Sequence, residues 1–156
     1  MKIETKHNKI ILFLPKNIIS DICFDDLKAV EAYFKKIIIN LRKYYNIKLF
    51  GCYNVYLYVD KIYGIIMEME KIDDNLFLDD LIDMKIFINM DSPILYKVSD
   101  YEFMKNIGDK KYYYQNNFYC TIDEMDETKL LPFLEYCEII YGDEAGAIIN
   151  KAQKIK

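Results

Sequence analysis

His7 is the single histidine of this chain, and its four cysteines, Cys23, Cys52, Cys120 and Cys137, lie far apart. Nucleophilic catalysis of the Ser–His or Cys–His kind needs an imidazole beside an activated oxygen or sulfur, and no short motif surrounds any serine or cysteine here. Tetrahedral metal sites draw on Cys-x-x-Cys pairs or several histidines, and the chain offers neither. Its five glycines are scattered, so no glycine-rich loop is available to cradle a phosphate. Carboxylates are plentiful. One run holds Asp73, Asp74, Asp79, Asp80 and Asp83, another holds Asp123, Glu124, Asp126 and Glu127. Neither has the spacing and turn glycine of a calcium loop, so they read as solvated surface and helix-start chemistry. The expectation is a chain with no catalytic residue, no metal and no cofactor, hence not an enzyme.

Aromatic side chains are the other group that could act. The stretch "KYYYQNNFYCTIDE", residues 111–124, carries five aromatic residues within eight positions. Tyrosines placed this way can fill a core, stack on nucleic-acid bases, or contact a protein. Stacking platforms need a basic surround, whereas the formal net charge is −4. Tyrosine gives a protein interface large area at small rotamer cost, with a hydroxyl that tolerates wetting. Protein contact is therefore the functional expectation, core filling its structural alternative, and no nucleic acid is expected as partner.

The elements that must position these residues follow from periodicity. "NKIILFLP", residues 8–15, is β-rich and stopped by proline. Leu27, Val30, Phe34, Ile37, Ile38 and Leu41 share one helical stripe, with Lys28, Glu31, Lys35 and Arg42 elsewhere and Asp25 as the expected N-cap. Residues 47–70 alternate as two strands around a turn at Asp60-Lys61, which pairs Tyr58 with Tyr63 and Tyr56 with Ile65. Val55, Leu57, Val59, Ile62 and Ile66 then form the core side, and Tyr56, Tyr58 and Tyr63 cluster opposite. The second aromatic hairpin repeats the plan. A loop at Asn116-Asn117 pairs Tyr114 with Tyr119 and Tyr112 with Thr121, and sends Phe118, Cys120 and Ile122 to the other face. A short helix over residues 99–108 precedes it. "MKIFINMD" and "PILYKV" read as further strands. Leu130, Leu134, Cys137 and Tyr141 predict one late helix, with Pro132 early in it, Gly142 as its stop, and Asp143 capping a last short helix.

The fold class expected is α+β, in two small units that each place a helix before a β-hairpin on an antiparallel sheet. Residues 1–70 form the first, residues 71–83 an acidic docked connector, and residues 84–156 the second. No apolar run reaches the roughly 18 to 20 residues of a membrane-spanning helix, and the opening residues lack the apolar segment of a signal peptide. With dispersed cysteines expected to stay reduced, the reading is a cytoplasmic protein with no membrane partner.

Over most of its length the chain resembles the MecA family of bacterial adaptor proteins. The start "MKIE", the pair Phe24-Asp25 before the first helix, and the hairpin "FGCYNVYLYVDKIYGIIMEME" around Gly51 and Asp60-Lys61 carry the first half of the likeness. "YYYQNNFYCTI" followed by "LEYCE" carries the second, through Tyr112, Tyr114, Phe118, Tyr119, Glu135, Tyr136 and Glu138. Cys137 stands where that family has glycine, and the acidic linker is shorter. The resemblance implies a substrate-binding N-terminal half that holds a client protein. It also implies a C-terminal half that docks on a Clp-type AAA+ unfoldase, with Glu135 and Glu138 exposed on a helix. Partner contact would fall to Tyr56, Tyr58, Tyr63, Tyr112, Tyr114, Tyr119, Glu135, Tyr136 and Glu138. The alternatives in other classes are an acidic inhibitor or nucleic-acid mimic, and a small carboxylate enzyme.

Overall fold

The computed structural model describes residues 2–49, 51–73, 82–90 and 92–155. The chain is α+β and divides into two compact units, Met1–Met90 and Asp91–Lys156. That boundary falls later than the sequence suggests. The strand expected over "MKIFINMD" at the start of the second unit runs instead over Ile82–Asn89 and is hydrogen-bonded into the first unit's sheet. Of the acidic connector, Lys71–Asp73 ends a strand and residues 82–83 begin one, while residues 74–81, with Asp74, Asp79 and Asp80, lie outside the described residues.

In the first unit β1 (Lys2–Lys6), β2 (Lys9–Pro15), β3 (Gly51–Asp60), β4 (Gly64–Asp73) and β5 (Ile82–Asn89) form a sheet of order β1-β2-β4-β3-β5. Every neighbouring pair is antiparallel except β3 with β5, so the sheet is mixed. His7 sits in the β1–β2 turn with φ 51°. Helix α1 (Leu27–Tyr45) covers one face because its apolar spacing of three and four turns Val30, Phe34, Ile38 and Leu41 inward. They meet Leu12, Leu14, Val55, Leu57, Ile65 and Met67 in one core. The helix begins at Asp26, not Asp25. The Asp26 carboxylate accepts from the N–H groups of Lys28 and Ala29, which the residue before it is placed too early to reach. Asn46, left-handed at φ 53°, ends it.

The first hairpin differs from the expected register. Asp60 pairs with Gly64 across a three-residue loop, so Tyr58 faces Ile66 and Tyr56 faces Glu68. The cause is local: the Asp60 carboxylate accepts from the N–H groups of Ile62 (2.8 Å) and Tyr63 (2.9 Å) and holds them in the turn. The shift exchanges the faces of β4. Ile65, Met67 and Met69 join the core, Ile66 goes to the face away from α1, and Ile62 stays in the loop.

In the second unit β6 (Ile94–Val98), β7 (Lys111–Tyr114), β8 (Asn117–Cys120), β9 (Cys137–Tyr141) and β10 (Gln153–Ile155) make an antiparallel sheet of order β10-β7-β8-β6-β9. Helix α2 (Tyr101–Met104) is a single turn, shorter than expected, capped by the Asp100 carboxylate on the Glu102 N–H. The β7–β8 loop is Gln115-Asn116, both at positive φ (47° and 63°), so Tyr112 pairs with Tyr119 and Tyr114 with Asn117. The expected late helix is two elements. Helix α3 (Glu127–Leu134) stops two residues after Pro132, which is interior and lacks the N–H to continue the ladder, and Cys137–Tyr141, with β-branched Ile139 and Ile140 beside Tyr141, pairs with β6 instead. Gly142, at φ 65°, does not end a helix. It opens α4 (Gly142–Lys151), with Asp143 in the first turn and Tyr141 at the cap position.

Candidate protein-contact surface

The expected contact residues separate into three environments. Tyr112 and Tyr119 are core residues, 8% and 5% exposed, packed with Leu95, Ile140, Ala145 and Ile148 beneath α4. Burial pushes the Tyr119 phenol above its ordinary pKa, against the opposing effect of Lys97. These two rings fill the core and are not available to a partner, which answers for them the choice left open by the sequence. Tyr114 is half-buried at the edge of the same cluster, its hydroxyl accepting from the Gln115 side-chain amide (3.2 Å).

Tyr56 and Tyr58 belong to the face of the first sheet away from α1, and Tyr63 sits in the β3–β4 loop. Tyr56 stacks on Phe87 with centroids 5.1 Å apart, Tyr63 meets Phe13 edge-on at 6.2 Å, and Tyr58 lies across from Ile66. All three are half-buried.

Glu135, Tyr136 and Glu138 do come together, at the junction of α3 and β9. With Lys97 and Ser99 at the end of β6, Cys137, and Asn117 of the hairpin, they line a cavity of about 330 Å³. Glu138 is on a strand, not the expected helix, and is not free: its Oε2 lies 3.2 Å from Lys97 Nζ across the β6–β9 pair. Glu135 caps the end of α3 and is exposed. Tyr136 is 65% exposed, yet it is held. Its N–H donates to the Phe133 carbonyl at 3.1 Å, and its ring meets Phe103 edge-on at 5.0 Å. Phe103 in turn stacks on Phe133 (5.4 Å, 9°), and Phe133 abuts the buried Tyr96 at 5.8 Å. A ladder of rings thus runs from the interior to one exposed phenol with carboxylates on either side of it in sequence. Lys97, Phe103 and Phe133 were not anticipated as part of this surface. The strand-favouring Ile139, Ile140 and Tyr141 after "LEYCE" are the signal that a strand, and so a cross-strand partner for Glu138, begins there.

The remaining reactive groups are dispersed. Among the described residues no three His, Cys, Asp or Glu side chains gather as a metal site would require. Asp109 serves the backbone, its carboxylate accepting from the Asp123 N–H (2.6 Å). None of the four cysteines is joined in a disulfide: Cys23 is exposed, Cys52 and Cys137 are half-buried, and Cys120 is buried. Burial drives the Cys120 thiol up to about 12, so its nucleophilic thiolate is scarce near neutrality. At pH 8 an alkylating reagent is expected to label Cys23 in the native protein and Cys120 only after denaturation. Mass spectrometry of the tryptic peptides reads this directly, and early labelling of Cys120 would contradict its burial. No helix among the described residues is long and apolar enough to cross a membrane. Compared with protein-family models, curated proteins and solved structures, the chain matches none.

Proposed function

We propose that this chain is a non-enzymatic, cytoplasmic protein-binding adaptor whose second unit docks a partner through the Tyr136 surface. The observation that carries the reading is an exposed phenol backed by a buried aromatic ladder and flanked by Glu135 and Glu138. Ordering such a ring on binding costs little, because its support is already in place. The acidic excess points to a partner with a basic surface: the second unit holds twelve acidic and eight basic residues, the first thirteen of each. The resemblance of the sequence to the MecA family points to a Clp-type AAA+ unfoldase as that partner, which would hydrolyse the ATP, and leaves the first unit to hold a client protein.

The test is binding to, and ATPase stimulation of, a purified Clp-type unfoldase. Wild type is expected to stimulate, and Glu135→Lys with Glu138→Gln to weaken capture while leaving the fold intact. Glutamine is chosen at position 138 because lysine there would oppose Lys97 across the strands. Each exposed ion pair contributes only about 0.2 to 1 kcal/mol, so the two changes are made together. Wild-type protein that neither binds nor stimulates would remove the unfoldase from the reading.

A further inference from the structure

The two sheets end at four strands, β1 and β5 in the first unit and β9 and β10 in the second. An edge strand presents a row of N–H and C=O groups with no ladder partner, and proteins blunt such rows with short strands, charges, proline or bulges. β1 carries charges at Lys2, Glu4 and Lys6 within its five residues, β9 has five residues and β10 three. β5 is built otherwise. It runs for eight residues without proline, pairs with β3 in unbroken register, and has no second neighbour among the described residues. Met84 and Ile86 belong to the core and Ile88 packs against it, so the apolar side of the strand borders an open ladder. Asp83 and Lys85 are its charges, both on the opposite side, and Lys85 lies over the ring of Phe87 at 5.4 Å. Phe87, stacked on Tyr56, is still 38% exposed.

The residue order of β5 selects what can pair with it. Side chains directly opposite in an antiparallel pair share a face, so a two-fold pairing of β5 with a second copy must centre on a residue. Centred on Ile86, the pairing spans residues 83–89. Met84 then faces Ile88 of the second copy, Ile86 faces its counterpart, Lys85 faces Phe87 and Asp83 faces Asn89. Apolar side chains meet on the α1 side, a cation meets a ring on the other, and no like charges stand face to face. Centred on Lys85, the two ammonium groups would oppose each other. Centred on Met84 or Phe87, the overlap within the strand shrinks to residues 82–86 or 85–89. Each copy has one such edge, so the pairing closes at two copies.

We propose that the chain forms a homodimer by antiparallel pairing of β5 about Ile86, which joins two five-stranded sheets into one. This surface lies in the first unit and stands or falls independently of unfoldase docking in the second.

Sedimentation of the full chain over a concentration series measures the equilibrium, and hydrogen exchange read by mass spectrometry locates it. Wild type is expected to dimerise, with amides of residues 82–90 gaining protection as the dimer fills. Phe87→Lys sets an ammonium against Lys85 of the second copy, twice by symmetry, and should weaken the dimer about tenfold or more. Adding Lys85→Glu turns both contacts into ion pairs and should recover most of that loss, which a change that merely removed ring area would not allow. Both substitutions fall at exposed positions, and circular dichroism checks that the variants fold. Several results would overturn the proposal. A wild-type chain that stays monomeric at every concentration would leave β5 to a strand of another protein. A dimer in which these amides stay unprotected would place the contact elsewhere, and a double variant no tighter than Phe87→Lys would rule out the pairing about Ile86.

Discussion

Gly64→Ala is expected to destabilise the protein by more than about 3 kcal/mol, enough to threaten folding against the typical total of about 5 to 15 kcal/mol. Gly64 opens β4 at φ +128°, a conformation that L side chains rarely adopt. An added Cβ would stand 2.1 Å from the Leu14 carbonyl oxygen, 2.8 Å from the Lys16 nitrogen and 2.9 Å from the Pro15 carbonyl carbon. All three are backbone atoms of the neighbouring chain segment, so no rotamer change relieves the clash. Gly64 also pairs with both Pro15 and Asp60, and a shift that made room would disturb two ladders at once. Gly146 is the control, because a Cβ there meets nothing within 4 Å and the residue lies inside α4. Gly146→Ala should stabilise by roughly 0.5 to 1 kcal/mol through helix propensity. Urea denaturation of the two variants should therefore give effects of opposite sign. Wild-type stability in Gly64→Ala would mean that the hairpin does not turn as described.

The two hairpins show what the sequence could and could not specify. In both, alternation marked the strands correctly while the loops were misplaced: the β3–β4 loop is one residue longer than expected, and the two-residue β7–β8 loop begins one residue earlier. In the β7–β8 hairpin the true pairing is displaced by two residues from the expected one, an even number. Every side chain kept its face, and Tyr112, Tyr114 and Tyr119 still lie opposite Phe118 and Cys120. In the β3–β4 hairpin the displacement is three, and the faces of β4 exchanged. The Asp60 carboxylate, with its two N–H donors, and Gly64 at positive φ decide this. Neither is visible in hydrophobic alternation. The α1 stripe was legible because four buried positions repeat over 19 residues, whereas the five-residue strand Cys137–Tyr141 was read as helix because a stripe that short fits both periods. Of the candidate surface, Glu135, Tyr136 and Glu138 could be named in advance. The Lys97 pairing and the Phe103–Phe133 support join residues thirty or more positions apart, which only the folded sheet and helices bring together.

The aromatic ladder at that surface has two ends that should respond oppositely to truncation. Phe133 is 1% exposed, stacked on Phe103 and in contact with Tyr96, so Phe133→Ala leaves a cavity within the second unit and should cost about 3 to 5 kcal/mol. Tyr136→Ala removes the exposed end, and its stability cost should stay under about 1 kcal/mol because only the edge contact with Phe103 is lost. Partner capture should invert that order once both variants are compared below their melting temperatures. Interface anchors that sit on a supported ring commonly contribute 2 kcal/mol or more, so Tyr136→Ala should weaken capture by about thirtyfold with an unchanged unfolding midpoint. Tyr136→Phe separates the ring from its hydroxyl: retained capture would assign the contact to apolar area, and lost capture to a hydrogen bond from the phenol. Thermal denaturation and titration calorimetry against the captured partner supply both readouts. If Tyr136→Ala binds as wild type does, the exposed ring is surplus to docking, and the contact surface of this unit must be sought elsewhere on it.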